Sequence, residues 1–277
     1  MIRTQKFKNV TFNCLYAIIG AVMLLPIYYL LVTTFKTPAE ATARPLGLPT
    51  TWNFGNYIEA FTAMNYPRAF TNNLLITGIA VIILILISSM AAYVIARSNR
   101  LIFKWMFSIF MVGLIIPFQI AIIPQYKIIA GLHLMNTLPG VILIDVFCIN
   151  LPLSIFLFRG FINTVPIELE EAAAIDGYGT FRTFLSIIFP LLKPIVSTVA
   201  ILDALAIWND FLTPLLFLQD PRKAVLLQEV YKNVGPFSTD WTSFFPMLVL
   251  STLPLVIFFL IMQKSIIDGV VAGAVKG

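Results

Sequence analysis

Histidine occurs once in this chain, as His133, and cysteine twice, as Cys14 and Cys148. One histidine leaves no basis for a Ser–His–Asp set or a histidine-rich metal site. Both cysteines fall inside apolar runs, where they suit core packing, and their setting points to neither a disulfide nor a metal thiolate. The phosphate cradle GxxxxGK followed by Ser or Thr is also missing, so nucleotide phosphates have no usual place to sit. Charge is scarce above all. Asp, Glu, Lys and Arg make up 11% of 277 residues, against 59% hydrophobic residues and a mean hydropathy of +0.93. A soluble domain carries roughly a quarter charged residues. These shortages exclude a soluble domain and argue against an enzyme acting alone. The net charge of +5 would raise nucleic-acid binding in a soluble protein. Here the basic residues lie in short loops beside apolar runs, which the positive-inside bias of membrane proteins explains.

What is present is long apolar sequence. A bilayer core of about 30 Å needs roughly 20 apolar residues in a helix. Six segments qualify, 14–35, 73–96, 105–123, 138–158, 195–218 and 244–262, and they predict an all-α membrane protein with six transmembrane helices in a single domain. Arg3, Lys6 and Lys8 precede the first, but its apolar run is too long for a signal peptide and no small-residue cleavage site follows, so it reads as a retained helix. Counting Lys and Arg by side gives 11 on the side of Arg3, Arg97, Arg159 and Lys264 against 7 on the other. Both termini and the loop 159–194 are therefore expected in the cytoplasm. Two outer loops are long, Lys36 to Asn72 and Gln219 to Ser243, with short helices expected at 57–64 and 225–233. They suit contact with an external protein, or packing around the outer mouth.

One cytoplasmic stretch does not belong in lipid: ELEEAAAIDGYG, residues 168–179. Pro166 fits a first helical turn. Glu168, Glu170 and Glu171 place carboxylates at the positive end of the helix dipole. Ala172, Ala173 and Ala174 favour helix strongly. Gly177 and Gly179 can stop it, Thr180 can cap a second short helix, and Pro190 and Pro194 mark re-entry into the membrane. Leu169, Ala172, Ala173 and Asp176 share one small, smooth face by helical spacing. Helices resting on anionic headgroups usually carry Lys and Arg on the polar face. This one carries glutamates, which suit charge-assisted bonds to a basic protein partner.

The run EAAAIDGYGTFRTFLSIIFPLLKP resembles the EAA loop of ATP-binding-cassette (ABC) importer permeases, through Glu171, Ala172, Ala173, Asp176, Gly177, Phe184, Ile187, Pro190 and Pro194. Phe189 stands where leucine is usual. The resemblance covers nearly the whole chain and is strongest to the carbohydrate-uptake branch, in particular the smaller permease of maltose-type and multiple-sugar systems. IIPFQIAIIPQYKIIAGLHLMNT is similar to that branch's third helix and following loop, with His133 where glycine is usual, and WNDFLTPLLFL to its fifth helix. The resemblance implies a type I importer (MetI-like) fold. It implies that Glu171, Ala172, Ala173, Asp176, Gly177 and Pro190 belong to a coupling element seated on an ATPase. The tail DGVVAGAVKG, with Gly273, Val275, Lys276 and Gly277, would reach between two ATPase subunits. The implied partners are a second permease, two ATP-binding subunits carrying the ATP and Mg, and an extracytoplasmic sugar-binding protein. The implied location is a bacterial or archaeal cytoplasmic membrane. No cofactor is expected on this chain itself.

Asp145, Asp203 and Asp210 lie within or near apolar spans, where an aspartate costs about 2.5–3.5 kcal/mol at a helix centre. Such residues face a bundle interior or a water-filled cavity. Asp203 and Asp210 are seven apart and are expected on one face. With Trp208 and Asn209 they form a candidate sugar route, Trp208 offering an aromatic plane to sugar C–H faces. The bland reading is packing between helices. Two other functions remain in view, an importer permease for a different solute and an ion-gradient transporter using Asp145 or Asp203. The second predicts repeated halves, and no convincing internal repeat is present.

Overall fold

The computed structural model of the protein describes residues 2–233 and 240–274, with side chains from Phe12 to Asn233 (Cys14 apart) and from Asp240 to Gln263. The described secondary structure is helical. In chain order the helices are α1 Ile2–Thr33, α2 Pro38–Ala43, α3 Gly55–Ala63, α4 Tyr66–Arg97, α5 Leu101–Ile115, α6 Phe118–Gly131, α7 Leu138–Ile144 and α8 Leu151–Ile162. There follow α9 Glu168–Ile175, α10 Thr180–Thr183, α11 Phe189–Leu191, α12 Lys193–Trp208, α13 Leu212–Phe217, α14 Leu226–Lys232 and α15 Trp241–Ala274. Among the described residues four helical stretches are long and apolar enough to cross a membrane, or six if two bent pairs each count as one crossing.

The bends have local causes. The expected span 105–123 is not straight: α5 and α6 meet at 111°. Pro117 lacks an N–H and pushes the residue before it out of the helical region, and Ile116 sits at φ −75°, ψ 118°. The expected span 195–218 is interrupted too. Helix α12 stops at Trp208, and α13 restarts at Leu212 with the Asp210 carboxylate accepting from the Leu212 and Thr213 amides (2.9 and 3.1 Å). Two turns widen to π-helix, Asp145–Asn150 and Phe184–Ile188. Each ends two residues ahead of a proline, Pro152 and Pro190, whose ring crowds the carbonyl four residues back.

The chain forms two compact units. The first holds residues 1–66 and 229–252. Its loop after α1 is ordered around Lys36, which is fully buried and donates through Nζ to the Arg44 and Pro45 carbonyls (2.7 and 3.0 Å). Burial lowers the Lys36 pKa, and the nearby Glu40 carboxylate opposes that shift. Asn56 donates to the Thr34 and Lys36 carbonyls, both at 2.9 Å, and Phe35 packs among Trp52, Phe54 and Tyr57. The second unit holds residues 67–228 and 253–277. Its core runs from Ile76 and Leu84 through Ile144, Ile155 and Phe158 to Ile188 and Val199. Helix α8 packs on α5 and α12, and α13 packs on α7. Cys148, expected in a core, is exposed.

Helix α6 closes with a Schellman motif: His133 N–H donates to the Ala130 carbonyl and Leu134 N–H to that of Ile129, both at 3.0 Å. His133 occupies the left-handed position at φ 56°. A Cβ in that region costs about 1–2 kcal/mol, a cost that glycine would avoid. His133→Gly is therefore expected to stabilise the chain by about 1 kcal/mol, read as a higher unfolding midpoint in detergent. An unchanged or lower midpoint would mean the imidazole makes contacts that offset the strain. Asn136 (φ 56°) holds the next loop: its Oδ1 accepts from the Gln219 and Asp220 amides (3.1 and 2.8 Å), and its carbonyl accepts from Lys223 Nζ (2.5 Å).

Candidate functional site

Helix α9 spans Glu168–Ile175, as the acidic alanine-rich pattern predicts, and ends in its own Schellman motif. Gly177 N–H donates to the Ala174 carbonyl (3.1 Å) and Tyr178 N–H to that of Ala173 (2.9 Å), with Gly177 at φ +80°. Gly179 plays a different part from the expected one. Its backbone is extended (φ −76°, ψ 162°) and it caps α10, so Thr180 is the first helical residue rather than the cap.

The side chains of α9 divide by face. Ala173 is buried against this chain, whereas Glu168, Glu171, Ala172, Ile175 and Asp176 are exposed. Glu168, Glu171, Ala172 and Ile175 follow i, i+3, i+4, i+7 spacing and form one outward stripe. Ile175 is 87% exposed, the most exposed large apolar side chain described. The four-residue face expected from the sequence therefore does not lie on one surface, because Ala173 turns inward.

Glu170 is committed within the chain. Its Oε1 accepts from Arg97 Nε at 2.6 Å and its Oε2 from the Tyr93 hydroxyl at 2.8 Å. Arg97 Nη2 also donates to the Val165 carbonyl at 2.8 Å. The ion pair is mostly shielded, with side chains 17% and 13% exposed. Arg97 lies in the last turn of α4, where a cation meets the negative end of the helix dipole. Tyr93 also packs on Phe184 in the widened turn, ring centroids 5.3 Å apart. The acidic helix is thus fastened to α4 by a carboxylate, a guanidinium and a phenol. No spacing rule signals this pairing, since Arg97 and Glu170 are 73 residues apart.

The intramembrane aspartates separate. Asp203 is buried and accepts from the Ser154 hydroxyl of α8 at 2.9 Å, a helix-to-helix contact. Trp208 is buried, with Phe70 edge-on at 6.0 Å. Asn209 is exposed and donates to the Leu205 carbonyl. Asp210 lies beyond the end of α12, so it leaves the face of Asp203. Its carboxyl meets that of Asp145 instead. The two line a cavity of about 260 Å³ with Phe118, Gln119, Leu212 and Thr213. Asp145 Oδ1, Asp210 Oδ2 and Thr213 Oγ1 are buried there without a hydrogen-bond partner. Each such orphan costs about 1–3 kcal/mol, more if charged.

The tail residues Val275, Lys276 and Gly277 lie outside the described residues, and Gly273 is within the last turn of α15.

Among known proteins, residues 84–271 match the family described as binding-protein-dependent transport system inner membrane component. The chain is 34% identical over 276 residues to the melibiose/raffinose/stachyose import permease protein MelC of Bacillus subtilis (strain 168), covering 99% of each chain. It is 33% identical to the probable starch degradation products transport system permease protein AmyC of Thermoanaerobacterium thermosulfurigenes, covering 94% of each. In fold it is similar to a chain of a bacterial ABC transporter involved in the import of the acidic polysaccharide alginate, with a TM-score of 0.84 at 20% identity over 95% of this chain and 97% of that one. The chain belongs to the family of inner-membrane components of binding-protein-dependent transport systems.

Proposed function

We propose that this chain is the smaller permease subunit of an ATP-driven, binding-protein-dependent importer of oligosaccharides. A second permease completes the pathway, two ATP-binding subunits hold ATP and Mg below it, and an extracytoplasmic binding protein delivers sugar to the outer loops. Both termini face the cytoplasm, and the whole chain acts as one permease domain. Relatives named for melibiose, raffinose, stachyose and starch degradation products support the substrate class.

The observation that carries the coupling mechanism is the division of α9. One face is bare, and Glu170 ties the helix to α4. Glu171, Ala172, Asp176 and Gly177 dock on the ATPase, with Ile175 as an apolar peg. Ala173 packs the helix onto its own chain, and Pro190 fixes the widened turn behind it. When the ATPase pair closes on ATP, the docked helix moves as a rigid piece. Arg97 passes that displacement to α4, and the membrane helices switch from inward-facing to outward-facing. The tail from Gly273 to Gly277 reaches between the ATPase subunits. Hydrolysis belongs to the partners.

The first experiment is purification of the tagged chain from its native membrane in mild detergent. A second permease and an ATP-binding subunit should accompany it, with ATPase activity raised by sugar-loaded binding protein. A lone chain that moves sugar under an ion gradient, without ATPase, would replace this reading with a secondary transporter.

A further inference from the structure

We propose that the segment 45–54, which follows α1 and α2, is a membrane-interface anchor. Leu46, Leu48, Trp52 and Phe54 sit among the lipid headgroups and the first acyl carbons of the leaflet at the C-terminal end of α1. The inference rests on α1 crossing the bilayer, and not on the solute carried or on the coupling mechanism.

The place of the segment carries the inference. The Tyr28 hydroxyl donates to the Leu46 carbonyl at 2.9 Å. Tyr28 precedes Thr33, the last residue of α1, by more than one turn, which sets it about 7.5 Å inside the helix end at about 1.5 Å per residue. Helix side chains lean toward the N-terminus, here toward the middle of the apolar span 15–33. Leu46 is therefore drawn down beside the span rather than raised above it. The ends of the segment are pinned just beyond the same helix end. Lys36 Nζ donates to the Arg44 and Pro45 carbonyls, and the Asn53 amide donates to the Phe35 carbonyl at 3.0 Å. The apolar span of α1 is only 6% buried within the chain, so its bare flank continues into the segment.

Two further features suit a departure from bulk water. Backbone polar groups that leave water need partners, and here the fold supplies them. The carbonyls of Arg44, Pro45 and Leu46 accept from Lys36 and Tyr28. The Gly47 amide donates to the Arg44 carbonyl (3.2 Å), the Thr50 amide to Glu40 Oε1 (2.6 Å) and the Gly55 amide to Asn53 Oδ1 (3.0 Å). Pro45 and Pro49 have no N–H to satisfy. The outward side chains are also apolar. Leu46, Leu48, Trp52 and Phe54 are 55%, 64%, 56% and 62% exposed, and no charged residue occurs from 45 to 58. Trp52 and Phe54 both pack edge-on against Phe35, ring centroids 5.0 and 5.2 Å apart, which fixes their place. Tryptophan is enriched at headgroup level, where its ring meets both lipid and water. A soluble protein is the weaker occupant, because the bond to Tyr28 sets the segment beside the span, where lipid is the neighbour. The insertion is shallow, about 5–10 Å, since irregular backbone is not exposed to the hydrocarbon centre.

The test uses the chain purified with the partners that accompany it and placed in lipid nanodiscs, without sugar or ATP. Trp52 emission is read as the difference between wild type and Trp52→Phe, since Trp105, Trp208 and Trp241 also emit. Lipid brominated near the glycerol end of its acyl chains is expected to quench that difference about twofold, and lipid brominated near the chain ends much less, as shallow insertion requires. An added tryptophan gives an independent reading: Leu48→Trp in the Trp52→Phe background should bring back an emission that the same lipid quenches. Emission at both positions that neither lipid quenches would overturn the proposal. Quenching by aqueous acrylamide would then place the segment in water, and shielding from acrylamide as well would place it under a partner protein. Failure of the importer reading would show in the co-purification experiment instead and leaves this measurement unaffected.

Discussion

Replacing Arg97 with alanine is expected to cut sugar uptake by the assembled complex about tenfold while the ATPase subunits still co-purify. The side chain makes no part of the exposed stripe on α9. It holds that helix from behind, through Glu170 at 2.6 Å and the Val165 carbonyl at 2.8 Å. Removing one partner of a buried ion pair costs about 3–5 kcal/mol because the other charge is stranded. Here the side chains keep 17% and 13% exposure and Tyr93 still donates to Glu170, so a figure below that range, about 2 kcal/mol, is the better one. That is about a thirtyfold shift of the equilibrium between fastened and loosened helix. A loosened helix can follow the ATPase without moving α4. Hydrolysis therefore continues while sugar movement per ATP falls. The charge swap Arg97→Glu with Glu170→Arg should regain part of the loss, not all, because the bond to the Val165 carbonyl is not rebuilt. Uptake within twofold of wild type in Arg97→Ala would show that force reaches the membrane helices by another path.

The contrast between Glu170 and Glu171 shows where the sequence stops being legible. Composition and apolar run length predict an all-α membrane chain, because burial in lipid leaves its mark on every residue of a span. The acidic alanine helix is equally legible, since its ends are written in glutamates and a glycine: α9 covers Glu168–Ile175, and Gly177 takes the left-handed turn. What a linear pattern hides is which neighbour a side chain finds. Glu170 and Glu171 have the same chemistry and adjacent places. One meets Arg97 from a distant helix, and the other faces out. Likewise, spacing of seven puts Asp203 and Asp210 on one face only if the helix continues, and α12 ends between them. Asp203 then meets Ser154, while Asp210 meets Asp145, a pairing across two segments that no periodicity encodes. The proline effects fall between these cases. Pro117, Pro152 and Pro190 are visible in the sequence, but whether each gives a 111° bend or a widened turn depends on what packs beside it.

Glu171→Lys is expected to have a larger effect of a different kind, abolishing both co-purification of the ATPase and its response to binding protein and sugar. Glu171 is exposed on the stripe with Ala172 and Ile175, and its neighbour Glu170 is already spent on Arg97. Glu171 and Glu168 are thus the carboxylates of the first turn left to meet a partner. Lysine there reverses the charge offered to the proposed basic partner and also sets a cation at the positive end of the helix, a local cost of about 0.5 kcal/mol. The local cost is too small to unfold α9, so loss of function has to come from docking, where stranding a desolvated charge costs about 2–5 kcal/mol. That range corresponds to a thirtyfold loss of affinity or more, enough to lose the ATPase during purification. Glu171→Gln separates charge from shape: it keeps the length and hydrogen-bonding reach of the side chain, and it should weaken the response without removing it. The two positions then give opposite signatures. Arg97→Ala leaves a docked ATPase that turns over without moving sugar, whereas Glu171→Lys leaves a permease without its ATPase. If Glu171→Lys keeps a bound ATPase that still responds to sugar-loaded binding protein, the acidic face is not the docking surface. The exposed Ile175 would then be the next contact to change.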